Sequence, residues 1–435
     1  MNPLQTKTTT WAAAPPLHKH SRQKCWRCLS SKSPSGCPVG SRRTLLATGT
    51  LGLGLAAAQR DQSVAQDSIE IESTAETVGS IVPLSWSLLV LRNSLPQLWV
   101  QEFQRLVGNA NKVKVKSEKT LEALYVALKS GKAKGYDLVS IGDAFLAPCI
   151  QGGYLKPIEG GDDYRWFGSL PERWKTLVVR DGDGLANPRG GRIWGVPYRW
   201  GCTVIAYRED KLKKNGVKSF EDWSDLLHPK LKSRIAFLDS PREFIGMAQK
   251  SLGLSYNDGI LEMQAKGVSE EKLKARVKDL KAQILTFSNS DHVRALAAED
   301  AWIAVGSSSD LLPLAGANSN LRFLVPGSGT ALWSDVFVQP SQTDNPDAFG
   351  TSPMLNVWLD FVLSPARTHG GGLQGGVAPL ELPEGAVQEG VCEGRDVELD
   401  SRGRFLPSDC VLRRSEFLLP ADRETVRMYQ RILMA

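Results

Sequence analysis

The feature that most constrains the fold is an alternation of short apolar strands with amphipathic helices, which starts near residue 80. In the first half of the chain, "SLLVLRN", "KVKVKSE" and "YDLVSIGDAF" have strand patterns, and a helix is predicted after each. A second block follows residue 207, with strand patterns in "RIAFLDSPRE", "AWIAVGSSSDLL" and "FLVPGSGTALWSDVFVQP". Because such alternation places helices on both faces of a sheet, the predicted fold class is α/β.

Length and composition narrow the class of protein. The chain has 435 residues, 42% apolar and 23% charged, as in soluble globular proteins, and suits two or three domains or one large two-lobed unit. No apolar run approaches the roughly 18 residues that span a bilayer. Residues 1–60 hold nine Lys or Arg and no acidic residue, so the rest of the chain has 44 basic against 47 acidic residues. Without a basic stripe interleaved with aromatic residues, nucleic acid is not an expected partner.

The N-terminal region has the pattern of a two-part targeting signal. Residues 1–41 are rich in Ser, Thr, Pro and Lys and lack acids, which is typical of an organelle transit peptide. Residues 42–58 begin with Arg42 and Arg43, continue through a weakly apolar stretch and end in three alanines, like a twin-arginine signal. The combination resembles the targeting of chloroplast thylakoid-lumen proteins, with residues 59–79 as a tether. The alternative is a bacterial signal with a long basic segment, which predicts the periplasm.

Cysteine positions predict core thiols and one disulfide. Three of the seven cysteines lie within the targeting region. Cys149 and Cys202 stand in apolar contexts and are predicted to be core thiols. Cys392 and Cys410 flank a polar loop and could pair in an oxidising compartment.

No catalytic constellation is visible. The histidines that follow the targeting region, His228, His292 and His369, are scattered and lack metal-ligand spacing. There is no nucleophile elbow, no P-loop and no dinucleotide fingerprint after a strand. We therefore expect a binding protein rather than an enzyme, without a metal or cofactor.

The segment "WGVPYRWGCTVIAYRED" has more aromatic residues than a strand core needs. Its aliphatic part, Thr203 to Tyr207, suits a sheet interior. Tyr198 and Trp200 therefore face either the protein interior or a ligand cleft. In contrast, Trp99, Trp223 and Trp358 are predicted to be core residues.

The segments "YDLVSIGDAF", "VPYRWG", "LDSPRE" and "LWSD", in this order and at these intervals, resemble the spermidine and putrescine solute-binding proteins of ABC importers. The resemblance covers roughly residues 82–380. It implies a type II periplasmic-binding-protein fold, in which crossing strands join two α/β lobes around a ligand cleft. The implied domains are lobe 1 (80–203 and 334–380), lobe 2 (204–333 and 411–435) and an irregular insert (381–410).

A polyamine needs carboxylates at its ammonium groups and aromatic faces along its methylenes. The resemblance implies that Trp333 and Asp335 in "LWSD" are a cleft wall and an amine-binding carboxylate, and that Glu243 in "DSPRE" is a second carboxylate. Ser240 stands where some family members have an aspartate. The predicted ligand-binding residues are Trp333, Asp335, Glu243, Asp143, Tyr198, Trp200 and Ser240.

Several of these residues also have structural interpretations, and some expected aromatic residues are missing. Asp143 is a candidate helix N-cap, Glu243 a candidate partner of Arg242 or of a neighbouring surface cation, and Trp333 a candidate core side chain. The resemblance implies aromatic residues at positions that hold other side chains, which predicts weakened amine affinity: Ala144, Val305, Gly376 and the first-strand region around Asn93 and Ser94.

The main functional hypothesis is a thylakoid-lumen solute-binding protein that captures a small, amino-bearing, polyamine-like ligand. One alternative is a binding-protein fold retained as a lumenal assembly or interaction factor. Another is an anion binder that uses the exposed amides of Ser307–Asp310, which otherwise form an N-cap cluster. The implied partner is an ABC permease or a thylakoid membrane complex, and a monomer is expected.

Overall fold

The computed structural model describes residues 85–108, 111–160, 163–217, 221–314, 318–341, 353–364, 367, 395–396, 407 and 409–434. The predicted targeting segments, the tether, Gly376 and Cys392 lie outside the described residues. In the described part of the chain, no helix has the length and apolarity needed to cross a membrane.

Strands and helices alternate along the described residues. The strands are β1 Ser85–Leu91, β2 Lys112–Glu118, β3 Leu138–Gly142, β4 Leu155–Lys156, β5 Val179–Arg180, β6 Arg192–Ile193, β7 Val196–Arg208, β8 Ile235–Phe237, β9 Ile284–Phe287, β10 Ile303–Ser307, β11 Leu321–Val325, β12 Ala331–Pro340, β13 Arg395–Asp396 and β14 Glu416–Phe417. The α-helices are Gln97–Leu106, Leu121–Lys129, Leu146–Gln151, Arg165–Gly168, Glu172–Val178, Glu209–Lys214, Pro241–Lys250, Ile260–Ala265, Glu270–Lys281, Asp291–Ala297, Ser308–Leu311, Pro353–Val362, Asp409–Arg414 and Arg423–Met434. Short 3-10 helices cover Asp143–Phe145, Trp223–Leu227, Pro229–Leu231 and Leu312–Leu314.

One long strand, β7, is shared between the two halves of the sheet. In the first half, β1 pairs in parallel with β2 and β3, and β12 runs antiparallel to β3. In the second half, β8 pairs in parallel with β9 and β10. Strand β7 joins them, because its residues 196–202 pair with β12 and its residues 203–207 pair with β10. The α/β fold with crossing strands is confirmed.

Two large clusters of buried apolar side chains pack against the sheet. The first contains Trp86, Phe103, Trp174, Phe337 and Trp358. The second contains side chains from β8, from the helices before and after it and from the C-terminal helix Arg423–Met434, among them Trp223, Phe237, Phe244, Leu273 and Tyr429. The domain boundaries given above stay predictions.

The predicted core residues are confirmed. Trp99, Trp223 and Trp358 are at most 5% exposed, and Cys149 and Cys202 are buried free thiols. Cys410 takes part in a disulfide bond. Its predicted partner Cys392 lies outside the described residues, so their pairing stays a prediction.

Candidate functional site

The candidate site is built on one face of the paired strands β7 and β12. In the antiparallel register Trp333 lies opposite Gly201, and Asp335 lies opposite Arg199. Because side chains alternate between the two faces of a strand, Arg199, Gly201 and Thr203 share one face of β7. The contacts described below show that Trp333 and Asp335 lie on this same face. The sequence prediction that Trp333 and Asp335 share a strand face agrees with this arrangement.

Asp335 is paired with an internal cation. Its Oδ2 lies 2.8 Å from a terminal nitrogen of Arg199, and both residues are buried. The guanidinium carbon of Arg199 also lies 5.0 Å from the ring centroid of Trp333, within cation–π range. Burial raises the pKa of the Asp335 carboxyl, and Arg199 offsets part of this rise. Sequence analysis did not identify Arg199 as a residue of this site. Its charge within an otherwise apolar and aromatic strand was the signal that could have indicated it.

Trp333 packs directly against a glycine. A β-carbon at Gly201 would lie 2.3 Å from Cζ2 of the indole and 2.4 Å from the Ser308 hydroxyl, so a larger residue would displace the ring. The indole Nε1 donates a hydrogen bond to the carbonyl oxygen of Cys202 at 3.3 Å. The residue remains partly exposed. Trp333 is thus a fixed aromatic surface rather than a fully buried core residue.

Asp143 reaches from the first half of the sheet to β12. It follows β3 and begins the 3-10 helix Asp143–Phe145, whose N-cap position is held by Gly142. The interpretation of Asp143 as the N-cap is therefore wrong, because its Oδ1 accepts the backbone N–H of Ser334 at 3.0 Å instead. The residue is partly exposed, but its carboxyl is enclosed, and this burial raises its pKa to about 7.

Glu243 reaches β7 from the second half of the sheet. It lies in the first turn of the helix Pro241–Lys250, where the Ser240 hydroxyl caps its backbone N–H at 3.3 Å. Its carboxylate accepts a hydrogen bond from the hydroxyl of Thr203 at 2.5 Å. Burial raises the pKa of Glu243 to about 7. Ser240 thus orients the helix that carries Glu243.

Arg242, the alternative structural partner of Glu243, lowers the pKa of the Glu243 carboxyl but does not bond it directly. Within the described residues no ion pair joins these two side chains. The Arg242 guanidinium instead donates to Asn257 at 3.2 Å and lies 5.4 Å from the ring centroid of Tyr429. The carboxylate of Glu243 therefore bonds a neutral hydrogen-bond donor, and the nearby Arg242 only partly offsets the effect of burial on its pKa.

Tyr198 and Trp200 lie on the opposite face of β7. Each is 1% exposed. The Tyr198 ring stacks on Phe337 at a centroid distance of 3.9 Å, and its hydroxyl is 2.8 Å from that of Ser94. Trp200 packs edge-on against Trp174. Strand alternation thus separates these two predicted ligand residues from Trp333, and both fill the protein interior.

The Ser307 turn is used internally. Ser307 caps the short helix Ser308–Leu311, accepting the backbone N–H of Ser309 at 3.2 Å. The Ser308 hydroxyl accepts the backbone N–H of Cys202 at 3.3 Å. The predicted N-cap cluster is confirmed. Val305, one of the positions at which an aromatic residue was expected, is completely buried in β10.

The chemistry of the site favours a cation. It combines one partly exposed aromatic ring with the two carboxylates Asp143 and Glu243, each bonded to neutral donors. Among the described residues, no group of three or more His, Cys, Asp or Glu side chains forms a metal-binding cluster. Carboxylates beside an aromatic face provide ion pairing and cation–π contact to an ammonium group.

Comparison with known proteins places the chain among binding proteins. Residues 99–367 match the family described as bacterial extracellular solute-binding protein. A putrescine-binding periplasmic protein of Escherichia coli (strain K12) is 27% identical over 239 residues, 52% of this chain and 61% of the relative. A spermidine/putrescine-binding periplasmic protein of Salmonella typhimurium is 22% identical over 333 residues, 75% of this chain and 82% of the relative. The chain spans about three fifths of the length of the putrescine-binding relatives it matches.

A solved structure supports the same fold. The substrate-binding protein of a spermidine/putrescine ABC transporter from Streptococcus pneumoniae superposes with a TM-score of 0.60 at 18% identity. The match covers 81% of this chain and 98% of that chain. The two-lobe fold of periplasmic binding proteins accounts for strand β7, which pairs with strands of both halves.

Proposed function

We propose that this chain, which belongs to the family of bacterial extracellular solute-binding proteins, captures a small amino-bearing ligand between its two halves for an ABC importer. One observation carries the proposal. Asp143 and Glu243 come from opposite halves of the sheet, and the contacts of their carboxylates lie on either side of Trp333. A ligand held by both carboxylates would bridge the halves.

The pairing register of β7 and β12 indicates the length of such a ligand. Asp143 bonds Ser334, which lies opposite Trp200, and Glu243 bonds Thr203. At about 3.3 Å per residue, these contact points are about 10 Å apart along β7. Trp333 lies opposite Gly201, between them. This spacing suits an extended chain with a positive group at each end and methylenes against the indole.

Electrostatics favours the cation further. Enclosing an ionised carboxylate away from water is costly, so burial raises both pKa values to about 7, although Arg180 and Arg242 partly lower those of Asp143 and Glu243, respectively. An ammonium group beside each carboxylate would remove this cost. Contact of an ammonium group with the Trp333 face would add on the order of 0.5–2 kcal/mol.

Isothermal titration of the full-length chain with putrescine and spermidine at pH 8 tests the proposal. We expect binding by the wild type and weaker binding by the isosteric variants Glu243→Gln and Asp143→Asn. Glu270→Gln is the matched control, because Glu270 lies in the first turn of another helix and pairs with Arg431. Absence of binding heat at millimolar amine would rule out the polyamine version.

We also propose the chloroplast thylakoid lumen as the location, on the basis of the acid-free N-terminal region followed by Arg42 and Arg43. Import into isolated chloroplasts, followed by protease treatment of the thylakoids, tests this. The mature protein should be protected, and replacing both arginines by lysine should block its passage. If the chain is not imported, the periplasmic alternative is favoured.

A second candidate function is an interaction factor that keeps the binding-protein fold without transporting a ligand. The Arg199–Asp335 pair favours it, because one carboxylate predicted to bind an amine already has an internal partner. Affinity capture from thylakoids tests it. Recovery of a membrane-complex subunit, together with absence of amine binding, would favour this candidate over the first.

A further inference from the structure

Arg199 occupies a position with the chemistry of an ammonium site. Its guanidinium lies 2.8 Å from the Asp335 carboxylate and 5.0 Å from the centre of the Trp333 ring. A carboxylate and an aromatic face together are the two groups that hold an ammonium ligand. In this protein a side chain of neighbouring strand β7 supplies the cation.

The Arg199 guanidinium keeps this position when a ligand binds. Arg199 is 4% exposed and Asp335 is 2% exposed. A ligand that displaced Arg199 would leave a buried cation without its carboxylate, which is strongly unfavourable. The pair therefore stays intact when a ligand binds.

The carboxylates that remain for a ligand are Asp143 and Glu243. Their hydrogen bonds come from the Ser334 backbone N–H and the Thr203 hydroxyl, which are both neutral. Trp333 lies between these contacts, with the Arg199 guanidinium against its ring. The ends of a bridging ligand meet carboxylates, whereas its centre meets an aromatic ring backed by a positive charge.

We propose that Arg199 is a specificity-determining residue, which takes the cation position beside the Trp333 ring and selects ligands with ammonium groups at their ends over ligands with an additional internal ammonium. This inference rests on the proposed capture of an amine between Asp143 and Glu243. The cleft therefore prefers a terminal diamine with an apolar centre to a triamine of equal length.

Two commercially available amines test this directly. Spermidine and 1,8-diaminooctane have the same chain length and differ in one central group, a secondary ammonium in the first and a methylene in the second. By titration calorimetry, we expect the wild type to bind 1,8-diaminooctane about tenfold more tightly than spermidine. In Arg199→Ala the released Asp335 carboxylate should attract the central ammonium, so the preference should disappear or reverse.

An unchanged ratio of the two affinities in Arg199→Ala would overturn the inference while leaving the proposed function intact. Equal or tighter binding of spermidine by the wild type would do the same. If Arg199→Ala does not fold, Arg199→Gln supplies the comparison, because its amide can still donate to Asp335.

If the wild type binds neither amine, the proposed function is wrong. A second measurement still tests the role of Arg199 in that case. Millimolar methylguanidinium should refill the vacated position and raise the Tm of Arg199→Ala without raising that of the wild type. The matched control is Arg234→Ala, since Arg234 lies 5.1 Å from the ring centre of Trp302 but is exposed and has no acidic partner among the described residues. No rise in Arg199→Ala, or an equal rise in Arg234→Ala, would overturn the inference.

Discussion

The indole of Trp333 lies against Gly201 so closely that a β-carbon at this glycine would come within 2.3 Å of the ring. The two residues face each other across β7 and β12. The contact fixes the aromatic surface between Asp143 and Glu243.

Gly201→Ala should therefore push the indole out of its position. We expect a loss of about 1–3 kcal/mol in the free energy of unfolding, which is typical of overpacking, together with weaker amine binding. Denaturant unfolding and titration calorimetry measure the two effects. Gly182→Ala is the control, because no atom lies within 4 Å of a β-carbon there. Equal effects of the two substitutions would contradict the prediction.

Amine affinity should fall as the pH decreases. The pKa values of Asp143 and Glu243 are raised to about 7, so both lose their negative charge below that pH. Since an ammonium ligand binds the ionised form, we expect a loss of about tenfold per carboxylate between pH 8 and pH 6. Calorimetry across this range tests it, and Glu243→Gln should show a shallower dependence. A pH-independent affinity would contradict the assignment of these carboxylates to the ligand.

Glu243→Gln should stabilise the empty protein at alkaline pH. The pKa of Glu243 is about 7 in the folded protein against an ordinary value of 4.5, so between these values the folded state binds the proton more tightly than the unfolded state. Stability from this group therefore decreases as the pH rises through that window. We expect the variant to gain up to about 3 kcal/mol at pH 8 and nothing near pH 4.5.

Chemical denaturation at both pH values measures this difference. Glu270→Gln is the control and should change the free energy of unfolding in the opposite direction. Because Arg431 lowers the pKa of Glu270, loss of the Glu270 carboxylate should reduce stability at neutral pH. A stability gain for Glu243→Gln that is the same at both pH values would point to packing rather than ionisation.

The buried Arg199–Asp335 pair should show strong energetic coupling. Asp335→Asn removes the carboxylate that bonds the guanidinium at 2.8 Å, and we expect a loss of about 3–5 kcal/mol in the free energy of unfolding. The double variant Arg199→Met with Asp335→Asn should recover much of this loss, because no buried charge remains unpaired. A double-mutant cycle measures the coupling. Additive losses would show that the two charges do not depend on each other.

The disulfide of Cys410 should involve Cys392. Cys410 is disulfide-bonded, and Cys149 and Cys202 are buried free thiols. Peptide mapping under non-reducing conditions should recover one linked peptide that contains Cys392 and Cys410. Its reduction should cost about 3 kcal/mol of stability, according to the loop-closure estimate. A linked peptide with any other cysteine would contradict the pairing.

Local sequence patterns predicted most of the fold. Alternating apolar residues gave the strands, and amphipathic spacing gave helices such as Glu270–Lys281, whose residues Leu273, Val277 and Leu280 are buried. Trp99 and Trp358 were recognised as core residues for the same reason. These patterns depend only on neighbouring residues, which is why a single sequence reveals them.

The site depended on pairing between distant segments. The period of a strand shows that Tyr198 and Trp200 face one side of β7 and Arg199 the other, but it does not show which side is the cleft. That choice is made where β7 meets β12, which places Trp333 opposite Gly201 and Asp335 opposite Arg199. The sequence by itself therefore determined the elements and the candidate carboxylates. Only the tertiary structure decided that Asp335 binds an internal arginine, because ion pairing depends on distance in space and not on separation along the chain.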